Sequence, residues 1–367
     1  MPTRERLANE HDDDTVETGS LDSAPLKKAD QEEADAPPKR KRRRGLRIFL
    51  IIFGVFVILL GAGAVGGALY LRSVDHSVAR VDAFKQVPEA ARPPRAAEAK
   101  GAMNYLILGS DSRDPQNTTG SRSDTIILMH VDKNRSGAQL VSIPRDTWTH
   151  IPKSADGKHG DTTAKINAAY AWGGVPLTVQ TIEAFTGVRI DHVIMIDFAG
   201  FREIVDALGG VTIDVDESFT ATHSVSPGGN RHYDKGPQLM DGAAALDYAR
   251  ERYAFKDGDF ARIRHQQQVI KAILNQAASG GMLTNPSQLN AFLRATADAA
   301  TVDSTMSIFD TAADLRHLRG ENLTFYTNPT KGTGMVGDQS VVFPDTAKDK
   351  PFYEAIRDDK PVPAEPN

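Results

Sequence analysis

The most concentrated group of arginines lies in the last third of the chain. The stretch "LDYARERYAFKDGDFARIRHQQQ", residues 246–268, contains Arg250, Arg252, Arg262 and Arg264. Guanidinium groups this close in the chain repel one another unless an anion lies among them. A guanidinium also stays charged at any accessible pH and binds phosphate oxygens through two parallel hydrogen bonds. The stretch is therefore either a solvated charged loop or a binding site for an anionic group such as pyrophosphate.

Helical periodicity separates two of these arginines. A helix is predicted over 260–278, and its core-facing stripe consists of Phe260, Ile263, Ile270 and Leu274. Arg262 and Gln266 are then neighbours on one flank of that stripe. Arg264 lies on the other flank, and His265 points away. We therefore expect that Arg262 and Arg264 do not share a site.

Arg250 and Arg252 are two residues apart, so their side chains would diverge on a helix. They can act together if the helix predicted over 241–250 ends near Arg250 and the chain is extended through Tyr253. On this hypothesis, Arg250, Arg252 and Arg262 form one anion-binding cluster. Gln266 then supplies a supporting hydrogen bond.

Two aspartates near the ends of predicted strands form a second candidate site. The segment "LGSDSRD", 108–114, follows a predicted strand, and "SRSDTIIL", 121–128, leads into the next one. If these strands are antiparallel, Asp111 and Asp124 meet at one edge of the sheet, where Arg113 and Arg122 also lie. Carboxylates without a nearby Cys or His suit Mg²⁺ better than zinc. The alternative is two aspartates with purely structural roles in a turn and at a strand end.

A third pair follows another predicted strand. "SIPRDTW", 142–148, contains Arg145 and Asp146, which form either part of the same site or a surface ion pair. Asp146 is also a candidate general base, although the pattern assigns that role to no residue.

Two further candidates carry less information about chemistry. The stretch "KINAAYAWGG", 165–174, either lines the crevice or forms a structural turn. His192 lies in an apolar strand and is predicted to be a core histidine.

Composition narrows the chemistry further. The 367 residues include 40% hydrophobic and 25% charged residues, carry a net charge of −5 and contain no cysteine. The composition is that of a globular protein. The lack of cysteine excludes disulfides, thiolate metal sites and cysteine nucleophiles. No G-x-S-x-G, Walker loop or H-E-x-x-H is present, so serine hydrolases, P-loop NTPases and metalloproteases lack their usual signatures.

The elements that position these residues alternate between strands and helices. Short apolar runs bounded by turn residues predict strands over 103–109, 125–132, 137–144, 191–197, 211–215 and 322–328. Helices are predicted over 176–187, 198–210, 241–250, 260–278, 286–300, 304–318 and near 352–357. This order predicts an α/β domain with a mixed central sheet and helices on both faces.

The N-terminal part has a different character. Residues 1–45 are polar and aperiodic, which predicts a disordered tail, and they end in the basic run "KRKRRRG". An uncharged apolar run then predicts a transmembrane helix over 46–72. A cleaved signal peptide or a nucleic-acid-binding basic patch explains this order less well. The basic flank places the N-terminus in the cytoplasm and the rest outside. The remaining predicted boundaries are a stalk over 73–100, a domain over 101–345 and a tail over 346–367.

The motifs in combination resemble the LytR–CpsA–Psr family of bacterial cell-wall assembly proteins. They are "LGSDSR", "RSDT", "SIPRD", "KINAAY", "DHVIMIDFAGF" with "LGGVTIDV", "LMDGAAALDYARERY" and "GDFARIRHQQQVI". The resemblance covers about residues 100–330. It departs from the family pattern Gly-Arg-x-x-Arg-Gln at Ala261 and His265.

The resemblance implies a membrane-anchored extracellular phosphotransferase. Such an enzyme moves an anionic glycopolymer from a polyprenyl-pyrophosphate carrier to a peptidoglycan hydroxyl and forms a phosphodiester with Mg²⁺ assistance. It also implies possible phosphatase activity on the carrier. By matching motif, Asp111 and Asp124 are metal ligands, while the pyrophosphate-binding residues are Arg113, Arg122, Arg145, Arg250, Arg252, Arg262 and Gln266. No nucleic-acid partner is expected.

Two other functions stay open at this point. A membrane-tethered transcriptional attenuator would need DNA contacts on the cytoplasmic side, where only a disordered tail is predicted. A non-catalytic wall-polymer-binding module would use the same arginines to hold an anionic polymer without chemistry.

Overall fold

The computed structural model of the chain describes residues 75, 77–110, 123–222, 224, 229–315 and 317–363. All of these residues belong to one compact unit. The predicted tail and the predicted transmembrane helix over 46–72 lie outside the described residues. Within the described ranges, no helix combines the length and the apolar character needed to cross a membrane.

A seven-stranded mixed sheet forms the centre of the fold. Its strands, in spatial order, are β1 (Ala79–Val81), β12 (Ala300–Asp303), β7 (His192–Asp197), β2 (Met103–Ser110), β3 (Ser123–Val131), β4 (Ala138–Ser142) and β13 (Leu323–Thr327). Three pairs are parallel, namely β1–β12, β7–β2 and β4–β13, and the other three are antiparallel. The central strands are buried on both faces, which explains their nearly continuous apolar runs.

Helices cover both faces of this sheet, as the sequence predicts. Leu106 and Leu108 point to one face, where they pack with α1 (Ala168–Thr186) and α8 (Thr346–Arg357). Tyr105 and Ile127 point to the other face, where they pack with α4 (Asp259–Ala277) and α7 (Ile308–Leu315). The alternation of side chains along each strand therefore produces two separate cores.

The remaining elements surround a third core built on Phe219, Tyr233 and Tyr248. The helices are α2 (Phe198–Ala207), α3 (Gly242–Arg250), α5 (Gly280–Thr284) and α6 (Pro286–Ala299). Four two-stranded sheets complete the fold: β5 (Trp148–Ile151) with β6 (Thr162–Lys165), β8 (Val211–Val215) with β11 (Gly236–Met240), β9 (Phe219–Thr220) with β10 (His232–Tyr233), and β14 (Thr330–Val336) with β15 (Gln339–Pro344).

Helix boundaries follow local capping chemistry. Asp197 caps α2 by accepting a hydrogen bond from the Gly200 amide at 2.7 Å, and Asp241 caps α3 in the same way through Ala244. Gly187 ends α1 in the left-handed conformation, with φ of 67°. The helix predicted over 304–318 begins four residues later than predicted, as α7 over Ile308–Leu315.

Both segments that flank the predicted domain take part in its cores. Val78, Ala83 and Val87, from the predicted stalk, are buried, and β1 pairs with β12. Phe352 and Ile356, from the predicted tail, pack on the sheet through α8. The compact region therefore extends beyond 101–345 on both sides.

Several strands end, and β3 begins, along the same side of the central sheet, perpendicular to the strand direction. Ser110 pairs with Asp197 and with Ser123, while Ser142 pairs with Thr327. We call the edge marked by these five residues the site edge. The antiparallel pairing of β2 and β3 is confirmed, and it places Asp124 at this edge.

Candidate functional site

An ion pair between Asp124 and Arg145 lies at the site edge. Asp124 is the second residue of β3, and its carboxylate pairs with the guanidinium of Arg145, which follows β4. The Nε atom of Arg145 lies 3.8 Å from Oδ2 of Asp146. The other oxygen of Asp146 lies 3.2 Å from the Lys165 ammonium. Negative and positive side chains therefore alternate along a chain of ion pairs that runs from Asp124 on β3 to Lys165 on the hairpin of β5 and β6.

Arg262 reaches the same edge from the first turn of α4. Its side chain is buried, and its Nη2 donates to the Asp124 carbonyl oxygen at 3.3 Å and to Oδ2 of Asp259 at 3.0 Å. The other oxygen of Asp259 lies 3.6 Å from Nη1 of Arg252. Asp259 thus joins two of the predicted arginines to each other, and Asp124 joins Arg262 to Arg145.

The electrostatics of the cluster follow from burial and proximity. Burial lowers the pKa of Arg262; Asp259 opposes this effect, and Arg145 adds to it. Burial also acts to lower the pKa of Arg145, but Asp124, Asp146 and Asp259 outweigh it and leave that pKa raised. Both guanidiniums stay protonated at any accessible pH, so the site holds a permanent positive charge inside the fold.

Several buried polar atoms of the cluster lack a hydrogen-bond partner among the described residues. They are Nε of Arg145, Nε of Arg262 and Oδ1 of Asp259. Most buried polar groups in folded proteins are paired, so these unpaired guanidinium donors have hydrogen-bonding capacity that the described residues do not use. An anionic group with several oxygens would supply such acceptors.

Arg250 and Gln266 lie beside the network of ion pairs and do not take part in it. The Cζ atom of Arg250 lies 4.6 Å from the ring centroid of Phe198, which follows the site-edge residue Asp197. Within the described ranges, no carboxylate pairs with Arg250. Gln266 donates to the Ala249 carbonyl at 3.5 Å and so ties α4 to α3. Arg250 therefore extends a cationic surface along the edge towards β7.

Three of the predicted site residues, Asp111, Arg113 and Arg122, lie outside the described residues. Arg264 is half exposed and pairs with Asp257 at 2.5 Å, away from the contacts of Arg262. The predicted separation of Arg262 from Arg264 is confirmed.

The prediction that His265 points away from the core is wrong. Its ring is buried and stacks on Tyr248, with centroids 4.2 Å apart, and it also contacts Phe219 and Phe255. The single apolar stripe used for the prediction is incomplete, because α4 packs between two cores. Ile270 and Leu274 contact the sheet, whereas Val269 and Ile273 contact the third core.

A Mg²⁺ ion is compatible with the described part of the site. Oδ1 of Asp124 pairs with Arg145, whereas Oδ2 accepts no hydrogen bond from the described residues, and the side chain is 23% exposed. No group of three or more acidic or histidine side chains in the described ranges could hold a metal by itself. Mg²⁺ is commonly held by one or two carboxylates together with substrate phosphates, so a single accessible carboxylate is sufficient from this side.

Three residues outside the predicted set belong to the site edge. Asp259 and Lys165 form the ion pairs given above. Gln267 donates to Ser142 Oγ at 3.1 Å and to the Tyr326 carbonyl at 3.2 Å. The spacing of Asp259 and Arg262, three residues apart at a predicted helix start, is a signal that sequence reasoning had available. Lys165 begins the stretch 165–174, for which lining of the crevice is one of the two predicted roles, whereas the position of Gln267 depends on strand packing that the sequence pattern does not show.

Known proteins share this arrangement of elements. A model of the LytR_cpsA_psr family matches residues 70–355. The polyisoprenyl-teichoic acid–peptidoglycan teichoic acid transferase TagU of Bacillus cereus is 34% identical over 250 residues, which are 65% of this chain and 74% of TagU. The cell wall biosynthesis protein LcpA of Corynebacterium glutamicum is 29% identical over 310 residues, which cover 72% of this chain and 58% of LcpA.

Solved structures agree with the fold. The crystal structure of Bacillus subtilis TagV superimposes with a TM-score of 0.56 and 26% identity, over 70% of this chain and 95% of TagV. TagT bound to LI-WTA gives a TM-score of 0.60 over 76% of this chain and 99% of TagT. Its identity of 23% supports a common fold and no more.

Proposed function

The chain belongs to the LytR_cpsA_psr family, and from this premise we propose that it transfers an anionic glycopolymer to peptidoglycan. The donor is a polyprenyl-pyrophosphate-linked glycopolymer, the acceptor is a peptidoglycan hydroxyl, and the product is a phosphodiester. The relative TagU is named as a transferase of teichoic acid to peptidoglycan, which supports this class of reaction. The proposal includes a single N-terminal membrane helix with a cytoplasmic N-terminus and an extracellular catalytic domain.

The observation that carries the proposal is the buried guanidinium of Arg262 beside Arg145 and Arg252. Burying a charge costs several kcal/mol unless partners compensate it. Here the compensation is partial, because Nε of Arg262 and Nε of Arg145 have no partner among the described residues. A pyrophosphate has acceptor oxygens on two phosphorus atoms and would satisfy donors that converge from β3, β4 and α4.

The chemistry follows from where charge develops. The acceptor oxygen forms a bond to the phosphorus attached to the glycopolymer, and the bond from that phosphorus to the bridging oxygen breaks. Polyprenyl phosphate leaves, and negative charge increases on the bridging oxygen. Arg145, Arg252 and Arg262 stabilise this charge without forming a covalent bond. Arg250 adds to the same positive field, and the family resemblance assigns Arg113 and Arg122, which lie outside the described residues, to pyrophosphate binding as well.

Mg²⁺ held by Asp124 and Asp111 would neutralise further phosphate charge when bound. The acceptor hydroxyl must lose its proton during the reaction. Asp146 stays a candidate for that role, although its two oxygens lie near Lys165 and Arg145. If water replaces the acceptor, the same geometry would hydrolyse the pyrophosphate, which is the proposed side activity.

The test measures transfer by the full-length protein in detergent micelles, with release of polyprenyl phosphate and formation of the polymer–peptidoglycan bond as separate readouts. We expect Arg262→Ala and Asp124→Ala to lower the rate about a hundredfold or more, the usual effect of removing a group that stabilises transition-state charge. Arg264→Ala is the matched control, because Arg264 lies on the same helix and pairs with Asp257, away from the contacts of Arg262.

Wild-type rates in well-folded Arg262→Ala and Asp124→Ala proteins would contradict the assignment. Polymer binding without release of polyprenyl phosphate would favour the non-catalytic binding module. Protection of the domain from external protease on intact cells would favour the intracellular regulator. Chelation of divalent cations tests the metal separately, since a rate unchanged by chelation removes Mg²⁺ from the proposal.

A further inference from the structure

A cavity of about 450 Å³ lies between β5, the end of α1 and one side of α8. Its lining includes Trp148, His150, Phe185, Asp349, Lys350 and Glu354. The residues from α8 recur at helical spacing, so one side of that helix faces the cavity.

Asp349 has an environment unlike that of the paired buried acids of the fold. Its side chain is 6% exposed, and neither of its carboxyl oxygens has a hydrogen-bond partner among the residues that the structure describes. Asp303 is buried as deeply, yet it bonds to His192, Val193 and Thr305. Burial, together with nearby Asp345, raises the pKa of Asp349 to about 7. A carboxyl group of this kind can donate or accept a hydrogen bond near neutral pH.

Trp148 is one of the residues that line the same cavity. It is half-buried and makes no ring contact with another described aromatic residue, whereas Trp172 stacks on His159 at 5.9 Å. A Trp face of this kind packs well against a flat apolar surface such as one side of a sugar ring.

The charges of the cavity are mixed. Asp349 and Glu354 supply acidic groups, and Lys350 and Arg357 supply basic ones. Lys350 and Glu354 form no ion pair with any other described side chain. A polyanion would prefer a surface of one sign, as at the arginine site, whereas donors and acceptors in equal measure suit a ligand rich in hydroxyl groups.

The cavity adjoins the arginine site through the chain. Trp148 follows Arg145 by three residues, a separation of at most about 11 Å along the backbone. Trp148 also pairs across the hairpin with Lys165, whose ammonium contacts Asp146. The hairpin of β5 and β6 therefore contributes residues both to the cavity and to the ion pairs of the arginine site.

We propose that this cavity binds a glycan, with a sugar ring against Trp148 and sugar hydroxyls hydrogen-bonded to Asp349, Lys350 and Glu354. The glycan is the acceptor strand of peptidoglycan, and this identification rests on the proposed function. Glycan binding itself does not rest on it.

The test measures binding by calorimetry on the full-length protein in detergent. The probe for the cavity is a set of peptidoglycan glycan fragments solubilised with a muramidase. Geranylgeranyl pyrophosphate is the probe for the arginine site. We expect Trp148→Ala and Asp349→Leu each to weaken glycan binding about tenfold, which corresponds to the loss of about 1.4 kcal/mol of contact energy. Binding of geranylgeranyl pyrophosphate stays unchanged in both variants.

Matched variants separate binding from folding. Trp148→Phe keeps an aromatic face and retains most of the glycan affinity. Trp172→Phe and Glu321→Gln, which lie outside the cavity, leave it unchanged. If Asp349→Leu fails to fold, Asp349→Asn removes the charge with little change in shape, and Glu354→Gln tests the same side of α8.

The outcomes are distinct. Absence of glycan binding by the wild type, or equal binding by the Trp148 and Asp349 variants, would overturn the cavity proposal while leaving the arginine site in place. Glycan binding that depends on Trp148 and Asp349, in a protein that neither binds the pyrophosphate nor transfers polymer, would support the cavity and overturn the proposed function.

Discussion

Arg262 keeps its charge inside the fold because its partners are fixed by different elements. The Asp124 carbonyl oxygen belongs to a strand of the sheet, and Asp259 belongs to the first turn of α4. Negative side chains at a helix start are also favoured by the helix dipole. Position and charge of the guanidinium therefore do not depend on a bound ligand, and a substrate meets a preformed site.

The buried imidazole of His265 leads to a prediction about the stability of the fold in acid. Burial among aromatic rings lowers the pKa of its imidazole to about 4, and the ring must be neutral to stay stacked on Tyr248. Between pH 6.5 and pH 4, the imidazole of His265 is protonated in the unfolded chain and neutral in the folded chain. The free energy of unfolding therefore decreases as the pH falls from 6.5 to 4. The loss reaches up to about 3 kcal/mol.

We expect His265→Phe to preserve the stack and to remove this acid-dependent loss. The measurement is urea unfolding at pH 7.5, 5.5 and 4.5. His317→Phe, at an exposed position, is the control and should follow the wild type. A His265→Phe protein with the same pH dependence as the wild type would show that the imidazole is not buried in its neutral form.

At the scale of elements, one carboxylate organises the loop that carries Arg252. Glu251 is buried and accepts hydrogen bonds from the amides of Arg252, Tyr253 and Ala254 at 2.8, 2.7 and 3.0 Å. It also accepts from the Thr222 amide at 2.5 Å. Glu251 therefore fixes a turn at the end of α3 and sets the position of Arg252.

We expect Glu251→Gln to lower the free energy of unfolding by about 2 kcal/mol, because an amide has one acceptor oxygen and presents its NH₂ group to backbone donors. Burial alone would raise the pKa of Glu251, but the hydrogen bonds from Thr222, Ala254 and Tyr253 outweigh it and lower that pKa. The stabilisation is therefore complete above the ordinary pKa and is lost as pH falls through the folded value.

The stability difference between wild type and Glu251→Gln should accordingly be largest at pH 7 and shrink in acid, as measured by thermal unfolding at several pH values. Glu203→Gln is the exposed control. Pyrophosphate affinity should fall together with stability, since Arg252 loses its fixed position. A difference that does not change with pH would speak against an ionised carboxylate in this turn.

Elements with local signals could be predicted from the sequence, and elements without them could not. Helices α2, α3, α4 and α6 begin and end within three residues of their predicted bounds, since caps and apolar periodicity mark them. The hairpin of β14 and β15 was not predicted, because glycines interrupt the apolar pattern of "TKGTGMVGDQS". β12 was missed as well, since its four residues directly follow α6 and acquire strand character only by pairing with β7 and β1.

Some features of the candidate site could also be predicted from the sequence, and others could not. Helical spacing was sufficient to separate Arg262 from Arg264, and strand order was sufficient to place Asp124 at the site edge. The contact of Arg262 with Asp124 arises from packing of α4 on β3, across 138 positions of the chain, and the pair of Arg145 with Asp124 arises from the pairing of β3 with β4. His265 was misplaced for the same reason, because a helix between two cores has two apolar sides.

At the scale of the whole molecule, the segment over 77–100, which contains β1, is part of the folded body. Besides the burial of Val78, Ala83 and Val87, Arg92 forms a bidentate pair with Glu183 of α1, with distances of 2.8 and 3.1 Å. Glu183 is buried and also accepts from the Ile190 amide at 2.9 Å. The segment over 73–100 therefore neutralises a charge that the core contains.

A chain that begins at residue 101 should consequently be far less stable than one that begins at residue 73. Removal of Arg92 leaves the Glu183 carboxylate buried without its counter-charge, which costs about 3–5 kcal/mol, and the lost burial of Val78 and Val87 adds to this. Thermal unfolding of the two truncated chains measures the difference. In the longer chain, Arg92→Ala should reproduce most of the loss, whereas Lys85→Ala, at an exposed position, should not. Equal melting temperatures for the two truncated chains would mean that the segment is a stalk outside the folded body, and that β1 and the Arg92–Glu183 pair contribute nothing to stability.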